Sequence, residues 1–192
     1  MCSNFFKKII NTKKFPMTKL SNLAACETSK ILENSYRATN IAFIDEWSRF
    51  AENIGIDLYE VIDAIKIRPT HSNIMYPGLG VGGYCLTKDP LFAVISAKQI
   101  HKMKSLNFPL SEKSVEINHN MPNASVKILL KHLKSLKNKK ILIMGLSYRS
   151  DTDDTRHSPS TEFAKKLLSK KALVYGHDPL VRSWGNFEKF RI

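Results

Sequence analysis

The β-strand signals of this sequence are confined to its last third, and they restrict the fold more than any other feature. Residues 141–144 form a short apolar run that ends at Gly145, and residues 172–175 repeat the pattern after a segment that Ser158-Pro159 opens as a helix. The order strand, loop, helix, strand predicts a βαβ unit with two parallel strands. We therefore expect an α/β protein in which an all-helical part precedes the start of an α/β part.

Before residue 120 or so, the apolar residues return at helical intervals. Residues 24–50 carry the pattern of one long helix, which Gly55 ends. Asp57, with Glu60 three positions later, predicts the start of a second helix. Asp89-Pro90 predicts the cap and first position of a third helix over residues 91–101. Further helices are expected at residues 112–119 and 123–136, whereas residues 1–21 show poor periodicity.

Composition and charge exclude several classes of protein. With 43% hydrophobic and 24% charged residues the chain is predicted to be globular, and its apolar runs are far shorter than the ~20 residues that span a bilayer, so no membrane partner is expected. Three irregularly spaced cysteines predict neither a disulfide framework nor a zinc site and favour a cytoplasmic location. The net charge of +13 favours anionic partners, but no nucleic-acid motif is present, so no nucleic acid is expected.

The stretch PGLGVGGYCLTKDP, residues 77–90, contains G-x-G-x-x-G at Gly78, Gly80 and Gly83. A dinucleotide-binding turn needs a strand before its first glycine, and prolines interrupt the segment that precedes this one. The loop is therefore not predicted to be such a turn. Together with Gly82 it has four glycines in six residues, which suits a backbone that turns sharply and approaches a ligand closely.

Cys85 follows these glycines. A thiol near a helix N-terminus and near lysine is favoured as a thiolate nucleophile, whereas a single cysteine is otherwise a small buried hydrophobic residue. On the long helix Glu27, Lys30, Asn34 and Arg37 form a polar stripe at spacings of three and four. The stripe is either a solvated face or a buried one whose polar groups need partners. A nucleophile would need donors for its oxyanion and a carboxylate for the proton of a water molecule.

Three segments together resemble the UDP-glucose/GDP-mannose dehydrogenase family. They are ETSKILENSYRATNIAF at 27–43, PGLGVGGYCLTKD at 77–89 and GLSYRSDTDDTRHSP at 145–159. Residues 1–21, with their lysines and poor periodicity, are predicted to form an irregular basic tail. For the rest of the chain the resemblance implies two parts. Residues 22–120 would be a helical central domain that forms a homodimer and carries the catalytic cysteine, and residues 121–192 a partial, Rossmann-like α/β domain that binds a UDP-sugar.

Members of this family oxidise the C6 hydroxymethyl group of a nucleotide sugar to a carboxylate with two NAD per turnover, for polysaccharide precursors. The resemblance implies that Cys85 attacks the C6 aldehyde and that the thiohemiacetal is oxidised to a thioester, which is then hydrolysed. It implies that Lys30 and Asn34 stabilise the oxyanion and hold water, and that Asp89 supports proton transfer.

The resemblance also assigns binding residues. Lys88 matches a lysine close to the cofactor, and Arg149 stands where the family commonly has a lysine near the nucleotide. Loop residues would wrap the sugar and phosphates through their backbone, namely Gly78, Gly80, Gly82, Gly83 and Tyr84. Asp154, Arg156 and Ser158 match an Asp-Thr-Arg-x-Ser motif. This motif either caps the loop and forms a local ion pair, or it contacts the ligand.

Two departures from the family pattern shape the functional expectation. Nothing before Glu27 resembles the NAD-binding domain with which the family begins, and the chain ends soon after Pro179, where the family's nucleotide domain continues. We therefore expect a fragment, a split enzyme or a degraded gene, with a separate NAD-binding chain as one source of the cofactor site. The alternative is a catalytically inactive module that dimerises or binds a sugar nucleotide.

Overall fold

The computed structural model of the protein describes residues 2–185, and the chain divides into two units, Met1–Lys30 and Ile31–Ile192. No helix in the described range is long and apolar enough to cross a lipid bilayer. A 3-10 turn at Pro69–His71 and a π-helical turn at Ser96–Ile100 supplement the regular elements. In chain order these are α1 (Cys2–Ile9), α2 (Leu23–Ile54), α3 (Leu58–Lys66), α4 (Cys85–Ile95), α5 (Pro109–Asn120), α6 (Pro122–Leu133), β1 (Lys140–Met144), α7 (Pro159–Ser169) and β2 (Leu173–His177).

The first unit contains helix α1, although the sequence predicted an irregular tail there. Phe5 and Phe6 lie within one turn of Ile9, so the apolar side chains can share one side of a short helix. Lys7 and Lys8 lie in its last turn, where positive charge complements the helix dipole. Short amphipathic segments of this kind are easily missed by periodicity, because they span barely two turns.

The long helix predicted before Gly55 is confirmed as α2. Its start is capped by Asn22, whose side-chain oxygen accepts a hydrogen bond from the backbone N–H of Ala25 at 2.9 Å. Its end is set by Gly55, which has a φ of +73°, a conformation that favours glycine. The predicted start of α3 is confirmed as well, since the Asp57 carboxylate accepts a hydrogen bond from Tyr59 N at 2.9 Å.

The predicted start of the third helix is wrong. Helix α4 begins at Cys85, and Pro90 lies inside it rather than at its first position. The hydroxyl of Thr87 donates to the carbonyl of Gly83 at 2.8 Å and closes the first turn before the proline is reached. Cys85 is therefore the first residue of the helix, and Asp89 follows it one turn later.

The α/β part confirms the predicted βαβ unit. Strands β1 and β2 pair in parallel, from Lys140 opposite Leu173 to Met144 opposite His177. Helix α7 connects them, and the buried Ser158 caps it by accepting a hydrogen bond from Ser160 N. A single cluster of buried side chains lies between sheet and helices: Val126, Leu136, Ile143, Leu146, Phe163, Ala164, Leu167, Ala172, Val174, Val181 and Trp184.

The glycine loop packs directly on the segment that follows β1. A Cβ on Gly82 would lie 2.5 Å from Tyr148 Cβ and 2.8 Å from the carbonyl oxygen of His157. A Cβ on Gly80 would lie 2.7 Å from Pro159 Cβ. Since real Cβ atoms do not approach other atoms this closely, these glycines allow the loop to contact the α/β part.

Asp178, at the carboxyl end of β2, ties the strand ends together. Its Oδ2 accepts hydrogen bonds from the backbone N–H groups of Leu146 at 2.9 Å and Ser147 at 3.2 Å, and its Oδ1 accepts from Leu180 at 2.9 Å and Val181 at 3.2 Å. Burial acts to raise the pKa of Asp178, but the four N–H donors outweigh it, so the pKa lies below its ordinary value.

We predict that Asp178→Asn destabilises the fold by about 1–3 kcal/mol at pH 7, because an amide satisfies fewer of the backbone donors. The folded-state pKa is lowered, so the ionised carboxylate stabilises the protein above the unfolded-state pKa of ~3.9, and this contribution is lost as the pH falls through the folded-state value. Urea unfolding at pH 7 and at about pH 3 measures both effects. The exposed Asp153→Asn serves as control. An equal loss for both variants at pH 7 would contradict the assignment.

A second prediction concerns the glycine loop. Gly82→Ala is expected to destabilise the fold by about 1–3 kcal/mol, since the new methyl group meets Tyr148 and a rigid carbonyl. Gly78→Ala is the matched control, because a Cβ there has nothing within 4 Å. Urea unfolding of the two variants should therefore separate them, and similar stabilities would show that the loop does not lie against the α/β part.

Candidate functional site

Cys85 lies at the first position of α4 with an exposed, free thiol. Its exposure is at odds with the alternative of a small buried hydrophobic residue. The thiol borders a cavity of about 550 Å³ whose walls come from α2, the glycine loop and the segment after β1. The structure therefore brings together the predicted nucleophile and three of the predicted loop glycines, Gly80, Gly82 and Gly83.

The cavity is cationic. Arg37 of α2 and Arg149 of the segment after β1 both line it, and none of the described residues around it is Asp or Glu. Tyr84 and Tyr148 supply aromatic surface. A cavity with two guanidinium groups and aromatic walls suits an anionic ligand with a flat or apolar portion. Gly78 lies elsewhere, in a smaller cavity with Tyr59 and Met121.

Asn34 and Asp89 meet beside the start of α4. Asn34 is 1% exposed, and its Nδ2 donates to Asp89 Oδ2 at 2.7 Å. The other amide atom, Oδ1, is buried without a hydrogen-bond partner among the described residues. A buried acceptor of this kind is normally satisfied, so a water molecule or a ligand hydroxyl is its natural donor. The predicted polar stripe is thus buried at Asn34 and exposed at Arg37.

Lys88 occupies the other side of the Asp89 carboxylate. Its Nζ lies 3.0 Å from Asp89 Oδ1 and 4.7 Å from the centroid of the Phe92 ring. The Asp89 carboxylate is thereby held between an amide and an ammonium group, and these two contacts fix its orientation. The predicted contact of Lys88 with a cofactor stays a prediction. So does the role of Lys30, the last residue of the first unit.

The Asp-Thr-Arg-x-Ser motif forms local contacts. The guanidinium of Arg156 donates to both carboxylate oxygens of Asp154, at 2.6 to 3.0 Å. This hydrogen bonding lowers the pKa of Asp154 to about 2 and raises the pKa of Arg156 further above its already high value. Ser158 caps α7 and Asp154 pairs with Arg156, so the motif makes the loop cap and the local ion pair that were one of its two expected roles. Contact of Arg156 with a ligand stays a prediction.

The described residues do not fit a dinucleotide. Within residues 2–77 as described, no strand leads into the glycine loop, and the loop lies against Tyr148 and His157. After β1, the N–H groups of Leu146 and Ser147, which such a site would offer to a pyrophosphate, are taken by Asp178. NAD would therefore need residues outside this part of the chain.

Two residues that line the cavity, Arg37 and Tyr148, were not predicted from the sequence as residues of the site. Arg37 was recognised only as a member of the polar stripe, although its position three residues after Asn34 places it close to the same face. Tyr148 precedes Arg149 in a recognised motif, yet no sequence signal relates it to the glycine loop. That contact depends on how the helical and α/β parts pack.

Comparison with known proteins agrees with this geometry. Residues 24–120 match the central domain of the UDP-glucose/GDP-mannose dehydrogenase family, and residues 142–190 match the UDP binding domain of the same family. The structure of a UDP-glucose dehydrogenase from the hyperthermophilic archaeon Pyrobaculum islandicum aligns with a TM-score of 0.76 and 29% identity, covering 86% of this chain and 39% of that one.

Two curated relatives are similar in sequence. The UDP-N-acetyl-D-mannosamine dehydrogenase of Pyrococcus horikoshii is 34% identical over 167 residues, which is 85% of this chain and 38% of the relative. That of Methanococcus maripaludis is 36% identical over 183 residues, or 93% of this chain and 39% of the relative. The chain thus spans about two fifths of the length of these relatives. By both matched domains, the chain belongs to the UDP-glucose/GDP-mannose dehydrogenase family.

Proposed function

We propose that this chain is the central and partial C-terminal portion of an NAD-dependent nucleotide-sugar dehydrogenase, which oxidises C6 of the sugar to a carboxylate through a thioester on Cys85. The observation that carries the proposal is the exposed thiol beside a cationic cavity, one helical turn before the Asp89–Asn34 pair. Because the relatives are named for UDP-N-acetyl-D-mannosamine and UDP-glucose, we favour a UDP-sugar as substrate.

In the proposed reaction the sulfur of Cys85 adds to the C6 aldehyde, and negative charge develops on the aldehyde oxygen. The second N–H of the Asn34 amide is the donor that we assign to this oxygen. The cavity would hold the rest of the substrate, with Arg149 and the loop residues Gly80, Gly82, Gly83 and Tyr84 near its phosphates. Arg37 adds a second cation to the same cavity.

Hydrolysis of the thioester needs an oriented water molecule and a proton acceptor. The unpartnered Oδ1 of Asn34 can accept a hydrogen bond from such a water and hold one of its lone pairs toward the thioester. Asp89, whose side chain is 14% exposed, is the carboxylate that we assign to receive the proton of the water. Its contact with Asn34 places acceptor and base together.

NAD supplies the hydride acceptor for both oxidations when it is bound. The residues described here do not form a dinucleotide turn, so we propose that a separate NAD-binding chain provides that site. If no such chain meets this one, the alternative function is an inactive module that dimerises or binds a sugar nucleotide. Both versions use the same cavity and differ only in turnover.

An aromatic stripe on α2 supports a homodimer in either case. Phe43, Trp47 and Phe50 are each about half exposed, and their rings contact one another edge to face with centroids 6.2 and 5.8 Å apart. Ordered aromatic side chains on one exposed helix face are typical of protein interfaces. A second copy of this helix offers the same apolar surface, as a twofold interface requires.

We predict that UDP-N-acetyl-D-mannosamine at millimolar concentration slows alkylation of Cys85 by iodoacetamide at least threefold, because the bound sugar covers the thiol. Mass-mapped labelling measures this, with the exposed Cys26 of the same chain as internal reference. Arg149→Met should weaken the protection, since it removes one cation of the cavity. Labelling of Cys85 that is indifferent to UDP-sugars would reject the proposed substrate class.

For the dimer, light scattering of the purified chain should give about twice its mass of 21.9 kDa. Trp47→Glu is expected to shift the protein to the monomer, because it places a charge in the centre of the interface. Leu110→Glu is the control, an equally drastic change at an exposed leucine outside the stripe. A monomeric wild type at tens of micromolar would rule the dimer out.

A further inference from the structure

Tyr84 stands immediately before the candidate nucleophile and makes more contacts than an exposed loop side chain needs. The residue is 47% exposed, yet its ring meets the His157 ring edge-on with centroids 4.6 Å apart. The guanidinium of Arg156 also lies over the Tyr84 ring, with its central carbon 5.2 Å from the ring centroid. Both partners belong to the segment between β1 and α7, so one aromatic side chain links the loop to the α/β part.

The cationic partner of this ring is itself fixed. Arg156 forms a two-pronged ion pair with Asp154, which removes most of its rotational freedom. A guanidinium within about 6 Å of a ring centroid is attracted to the aromatic face, and the ion pair with Asp154 keeps Arg156 in that place. The backbone carbonyl of Arg156 also accepts a hydrogen bond from Gly83 N at 3.3 Å, so the same residue contacts two successive positions of the loop.

The glycine backbone contacts place the loop against the α/β part, and the Tyr84 ring adds a side-chain contact directly next to the thiol. Between Gly82 and Cys85, Tyr84 supplies the only side chain, and glycine backbones are conformationally free in the absence of contacts. His157 has a φ of +52°, an unfavourable conformation for a residue with a side chain, which the surrounding structure must maintain. The loop contributes the Tyr84 ring to this contact, and the segment before α7 contributes His157 and Arg156.

We propose that Tyr84 is a positioning residue: its ring, clamped between Arg156 and His157, holds Cys85 against the cationic cavity. The proposal rests on the proposed function and deepens it, because it assigns to Tyr84 the task of positioning the thiol in addition to its place near the substrate phosphates. In this proposal the Asp154–Arg156 ion pair of the α/β part helps to position the cysteine of the helical part, because it holds the guanidinium that contacts the Tyr84 ring. The aromatic ring is the required group, and the phenol oxygen is dispensable for positioning.

The test uses the charge of the cavity to report where the thiol lies. Iodoacetate is an anion and iodoacetamide is neutral, and both react with the thiolate, so the ratio of their rates is independent of the thiolate fraction. Arg37 and Arg149 concentrate the anionic reagent beside Cys85, so this ratio is expected to be about threefold higher at Cys85 than at Cys26 in low salt. In concentrated urea the two ratios should become equal.

Tyr84→Ala is expected to lower the Cys85 ratio to that of Cys26, and Tyr84→Phe, which keeps the ring, to retain it. Arg156→Met should act as Tyr84→Ala does, and urea unfolding of each variant identifies any that is not folded. A folded Tyr84→Ala or Arg156→Met chain with the wild-type ratio overturns the proposal, as does a wild-type ratio no higher than that of Cys26. These outcomes are independent of UDP-sugar protection, whose absence would instead reject the proposed substrate.

Discussion

The close contact between the glycine loop and the segment after β1 is the constraint on which the rest of the site depends. Gly82 lies so near Tyr148 and His157 that no side chain fits between them. This contact brings Cys85, which belongs to the helical part, beside Arg149, which belongs to the α/β part. Without it the chain would hold a thiol and a cation on separate surfaces, and no cavity would join them.

Local sequence chemistry predicted most of the secondary structure. Gly55, Asp57 and Ser158 mark helix ends in the structure as their side chains or backbone freedom require, and the two apolar runs near the end of the chain pair as parallel strands. The start of α4 was mispredicted because an Asp-Pro pair is a strong local signal. A hydroxyl from Thr87 closes a turn upstream and overrides it.

The candidate site was predicted only in part, because its residue types are visible in the sequence but their meeting points are not. Asn34 and Asp89 are 55 positions apart and join through one hydrogen bond. The loop glycines were expected to leave room for a ligand, whereas Gly80 and Gly82 leave room for the chain itself. Arg37 and Tyr148 became visible as cavity residues only when the two parts of the fold were placed together.

The carboxylate of Asp178 has a consequence for ligand selection. In α/β folds the backbone N–H groups at the end of the first strand are a general receptor for phosphate. Here those groups already hold an anion that is part of the polypeptide, so the receptor is permanently occupied. Side-chain cations such as Arg149, which lines the cavity, are then the groups that we propose for the recognition of a nucleotide by this part of the chain. The proposed preference for a sugar nucleotide over a dinucleotide would then arise from this internal competitor.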